Sequence, residues 1–120
     1  MRWLVVSIAF VLASCAASDP APPPAEAVSV ELEELAADGR DIAEAQCAAC
    51  HAIGAYGESP VAEAPVFRTI FQRYSSGVLE QELVEGIRVS HPMPEFHFNP
   101  QGTDALIAYL QSIQEAPPPQ

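Results

Sequence analysis

Residues 39–51 read GRDIAEAQCAACH, from Gly39 to His51. Cys47 and Cys50 stand three apart, close to one helical turn, so both thiols leave one face, and His51 follows at once. Upstream, Leu32, Leu35, Ala36, Gly39, Ile42, Ala43 and Gln46 recur at three- and four-residue steps with acidic residues between them. That is the pattern of a helix with one apolar stripe. Asp38 offers an alternative, an N-cap that would start a shorter helix at Gly39. Downstream, Phe67, Ile70, Phe71 and Tyr74 make a second stripe at i, i+3, i+4 and i+7. Leu79, Leu83 and Ile87 make a third, bounded by Ser75-Ser76-Gly77 in front and Pro92 behind. Asn99 before Pro100 supplies a cap and a first-turn residue. The helix they open carries Leu106, Ile107, Tyr109, Leu110 and Ile113. No stretch alternates as a strand would. The expected fold class is all-α, with four or so short helices. Two irregular loops, His51 to Pro65 and Ser90 to Asn99, are set by prolines and glycines, and there is no internal repeat.

The 120 residues suffice for one modest domain. Arg2 precedes an apolar run from Trp3 to Ser14 that only Ser7 interrupts. It falls short of the roughly 20 residues of a spanning helix and is expected to be an export signal, residues 1–14. Leu12-Ala13-Ser14-Cys15 resembles a bacterial lipobox, which makes Cys15 the expected lipid-attachment site. Small residues at Ala13, Cys15 and Ala17 also permit ordinary signal cleavage. Residues 15–30 are expected to be the lipid-bearing cysteine and a linker. Within them DPAPPPAEA, Asp19 to Ala27, is expected to be an extended spacer rising about 3.1 Å per residue. The folded domain is then expected over residues 31–115, with a Pro-rich tail over 116–120.

The formal net charge is −11, and all five basic residues are arginine. Such a chain will not bind nucleic acid through phosphate neutralisation. It also lacks a basic patch for an acidic partner, so any electrostatic steering runs toward a basic surface. Three cysteines are an odd number for an exported chain. If a cofactor takes Cys47 and Cys50, and a lipid takes Cys15, none is left over.

Cys47-Ala48-Ala49-Cys50-His51 is the attachment signature of c-type haem. Two thioethers form from one turn to the porphyrin vinyl groups, the imidazole lies under the iron, and the alanines leave room for the ring. Three other readings compete. A thioredoxin-like Cys47–Cys50 disulfide needs a βαβ context that the chain lacks. A zinc site with His91 and His97 has spacing far from that of a finger. A purely structural cysteine pair is the third. An 85-residue helical domain with two long loops is small for its core and favours a large apolar cofactor. One covalent haem c is therefore expected, with iron on His51. Met93, between Pro92 and Pro94, is the only methionine after the signal. It is the expected sixth ligand, because a thioether opposite histidine stabilises ferrous iron. His97, His91 and an open position are the alternatives.

CAACH, the later Met-Pro loop and the C-terminal Leu106-Ile107-Ala108-Tyr109-Leu110 together resemble class I monohaem cytochromes c, in their short bacterial branch, over residues 38–114. The resemblance implies that the first and last helices cross at Gly39, with Tyr109 and Leu106 as the crossing face. It implies too that a proline carbonyl, that of Pro65 or else Pro60, accepts the second ring N–H of His51. Two departures stand out. The lysine ring by which eukaryotic relatives dock is absent, and Ala43 stands where many relatives have an aromatic. The function expected is single-electron transfer in the periplasm, on a membrane-tethered carrier. Its redox partners would be a respiratory complex or a periplasmic dehydrogenase. The rival is a haem subunit of a dehydrogenase, or a peroxidase-like enzyme, whose sixth iron position is labile.

Overall fold

The computed structural model describes residues 24–87, 93–94 and 96–117. The signal and lipid-attachment readings at residues 1–14 and Cys15, together with His91, lie outside the described residues. Helix α1 spans Pro24–Gln46. Pro24 sits in the first turn, where its missing N–H costs nothing. Ala25, Glu26 and Ala27 are strong helix formers, and the Glu26 charge suits the positive helix end. From Pro24 onward the Pro/Ala segment is therefore helical, not the extended spacer its composition suggests. Asp38 lies within α1 and caps nothing.

Only the second half of α1 enters the core. Val28, Val30 and Leu32 are 55%, 51% and 55% exposed, whereas Gly39 and Ala43 are buried. A 3-10 helix follows over Phe67–Gln72, with Phe67 and Ile70 buried. Its three-residue turn stacks positions 67 and 70 on one line. Tyr74 lies beyond its end and is 42% exposed, so the fourth stripe position expected from an α-helical period does not reach the core.

Helix α2, Ser76–Glu85, is opened by Ser75, whose Oγ accepts the Val78 N–H, and ends at Gly86 with φ +98°. That φ lies outside the range L side chains favour. Leu83 is buried from this helix, and Leu79 and Ile87 pack partly against the core. Helix α3, Pro100–Ser112, begins at Asn99, whose Oδ1 accepts the Gly102 N–H at 2.7 Å. It crosses α1 in the main interhelical contact.

The crossing depends on Gly39. A Cβ there would overlap the Ala105 carbonyl oxygen and stand 2.8 Å from Tyr109 Cβ. The close approach thus falls on Ala105 and Tyr109, one turn apart on α3. Leu106, the other residue expected at that face, is buried in the same cluster as Ala43, Tyr109 and Leu110. Ala43 is wholly buried in the same cluster. Its small side chain fits the close spacing that Gly39 imposes one turn earlier. Among the described residues there is no strand, and no helix is long and apolar enough to cross a membrane.

Candidate haem site

The CAACH segment winds off the C-terminal end of α1. Cys47 N–H bonds to Ala43 O at 2.9 Å, Cys50 N–H to Cys47 O at 3.1 Å, and His51 N–H to the same Cys47 O at 3.0 Å. This tightened turn keeps the two cysteines on one side. They form no disulfide with each other. Cys47 belongs to the hydrophobic core, and burial pushes its thiol pKa up to about 11. A thiol of that kind is a poor free nucleophile, which argues against a thioredoxin-like site.

His51 is held from two directions. Its Nδ1 lies 2.8 Å from Pro65 O. A carbonyl only accepts, so Nδ1 carries the proton and Nε2 keeps its lone pair. The ring also packs on Phe67, centroids 5.0 Å apart at 39°. Pro65 rather than Pro60 provides that acceptor, because the chain between is folded back. Val61 N–H bonds to Cys50 O at 3.2 Å, Ala52 N–H to Ser59 Oγ at 3.0 Å, and Phe67 N–H to Ala52 O at 3.0 Å. The Tyr109 hydroxyl donates to Ile53 O at 2.9 Å, tying the loop to α3. Burial raises the Tyr109 pKa, with the nearby Arg40 charge opposing, so that donor keeps its proton at neutral pH.

Met93 lies half-buried in the segment from α2 to α3. His97 is exposed, with its ring Cε1 3.3 Å from where a Cβ on Gly86 would stand. Phe98 N–H bonds to Leu83 O at 3.3 Å, fixing the far end of that segment against α2. No group of three or more His, Cys, Asp or Glu among the described residues is arranged to hold a metal by itself. The zinc reading joined His91 and His97 to the cysteines, and of these His91 lies outside the described residues.

Sequence reading missed the residues that brace this site. Gln114, just past α3, bonds to residues 43 and 47 positions earlier. Arg68 pairs with Glu115 at 2.9 Å and donates to Gly57 O at 2.7 Å. Neither residue carries a local pattern, since every one of these partners is remote in sequence.

The residues present fit a covalently held haem. They offer two unpaired sulfurs on one turn, an imidazole with Nε2 available, and apolar neighbours in Ile53, Phe67 and Phe71. A family model described as cytochrome c matches residues 36–114. A curated cytochrome c-553-like protein of Synechocystis sp. is 36% identical over 75 residues, 62% of this chain and 66% of that protein. The chain thus spans just under two thirds of that relative's length. No solved structure gives a significant match. With the family model reaching from the middle of α1 past the end of α3, the chain belongs to the all-α cytochrome c family and carries covalent haem c with its iron.

Proposed function

We propose that this domain is an exported single-electron carrier, tethered to a membrane through a lipid on Cys15. The export and tether rest on the sequence from Arg2 to Cys15. The electron-carrier part of this reading rests on the 2.8 Å bond from His51 to Pro65 O, which fixes the ring orientation and the tautomer. A ligand held this firmly has little to rearrange when a charge arrives or leaves, and the bond makes its Nε2 more basic. When bound, the haem supplies the one-electron chemistry, iron passing between ferric and ferrous. The chain's part is to bind it through Cys47 and Cys50, orient it through His51 and exclude water with the core around Phe67. Met93 is the sixth ligand in this reading. The proline on either side limits where its thioether points. The acidic surface suits a basic docking face on a respiratory complex or a periplasmic dehydrogenase.

Met93→Ala tests the ligand set. The expected result is near-complete loss of the weak red absorption band of ferric iron bound to thioether, a lowered potential, and ready carbon monoxide binding by the reduced protein. Wild-type protein that already binds carbon monoxide as readily would instead support an enzyme with an open iron position. The tether is tested separately. Cys15→Ala is expected to move most of the haem protein from the membrane to the soluble fraction, and an unchanged distribution would exclude the lipid.

A further inference from the structure

The segment Pro65 to Phe67 serves His51 twice, through the Pro65 carbonyl and through the Phe67 ring. Something must hold it at that distance, and its own backbone supplies one bond, Phe67 N–H to Ala52 O. Gln114, just past α3, adds further bonds. Its Nε2 donates to Phe67 O and to Leu110 O, each at 2.8 Å. Its Oε1 accepts the Phe71 N–H at 3.2 Å. One half-buried side chain thus joins the start of the 3-10 helix, its last turn and the end of α3. The set of bonds needs two donors and an acceptor on one planar group, which an amide has and a carboxylate or an ammonium lacks. Beside it, Glu115 N–H bonds to Arg68 O at 2.8 Å, so the backbone is tied at the next residue as well.

We infer that Gln114 is a positioning residue for His51, holding the Pro65–Phe67 segment so that its carbonyl and ring stay on the imidazole. The inference rests on the reading of His51 as the iron ligand. Without the amide, Phe67 O and Phe71 N–H lose partners at a half-buried site, and the segment can draw away from the ring. The bond to Nδ1 then opens more often, and Nε2 becomes a weaker donor to iron. The ferrous state gains relative to the ferric, because second-sphere hydrogen bonds tune both ligand basicity and potential.

The test uses haem-loaded full-length protein carrying Gln114→Met, which keeps the side chain's length and removes its hydrogen bonds. Gln111→Met, at an exposed site near the end of α3, is the control. By NMR of the reduced protein, solvent exchange of the His51 Nδ1 proton is expected to speed up roughly tenfold in Gln114→Met, as for loss of one ordinary hydrogen bond. The reduction potential is expected to rise. Gln111→Met should change neither. A Gln114→Met protein that exchanges this proton and holds its potential like wild type overturns the inference. So does one whose proton exchange accelerates only as much as that of amides in the α1–α3 crossing, which marks a general loss of stability. If Gln114→Met fails to mature, Gln114→Asn, one methylene shorter, is read for the same two changes, and their absence is equally fatal. Failure of the underlying reading looks different. In that case wild-type protein itself shows no protected Nδ1 proton on a haem-bound histidine.

Discussion

Gly39→Val is expected to give almost no haem protein under conditions where wild type accumulates. At this position even a Cβ overlaps the Ala105 carbonyl oxygen. That oxygen belongs to the backbone of α3, so no rotamer change relieves the clash and the helices must separate. Overpacking in a closed core costs about 1–3 kcal/mol, occasionally more. Here the shift also loosens Tyr109, whose hydroxyl ties α3 to Ile53. Against the roughly 5–15 kcal/mol that holds a domain together, such a loss is large. Gly39→Ala is expected to be milder, since alanine returns about 1 kcal/mol of helix propensity. Denaturant unfolding of the haem-loaded proteins gives the order wild type, alanine, valine. A valine variant within about 1 kcal/mol of wild type would show that the crossing is not close-packed.

The second large effect concerns attachment. The double variant Cys47→Ala with Cys50→Ala, produced in a host equipped for haem attachment, is expected to carry no covalent haem. Mass spectrometry of the denatured protein reads this as loss of the whole haem mass, and each single variant should retain at most one thioether. The polypeptide is expected to lose stability along with the cofactor. Ten hydrophobic residues are buried among the described residues, and three of those are alanines. A core of that size is meagre for a domain of this length without a large apolar group in its interior. A double variant that unfolds as cooperatively as wild type, at the same denaturant concentration, would contradict this account.

How much of this was legible beforehand varies along the chain. Asn99-Pro100 marks the start of α3 because a side-chain cap and a proline both act within a few residues of the helix they open. Ser75 likewise lies at the start of α2. The CAACH stretch is read for the same reason, its chemistry being contained in a single turn. Where the reading failed, the deciding contacts were distant. The α1 stripe stays 55% exposed at Leu32 because α1 packs on α3 only through its second half, and no period in α1 records where α3 crosses it. The Pro/Ala stretch takes helical form from Pro24 because first-turn geometry and good helix formers outweigh a composition typical of linkers.

Local spacing and residue chemistry by themselves determined the helical class and the attachment motif, since each follows from groups a few residues apart. Tertiary structure decided that the Ala105 carbonyl meets Gly39, and that Pro65 rather than Pro60 accepts the hydrogen bond from His51. It also decided that Gln114 bonds to Phe67 and Phe71, next to Pro65. Those choices depend on backbones brought together from opposite ends of the chain, where a hydrogen bond or a steric overlap is settled by tenths of an ångström that no local pattern encodes.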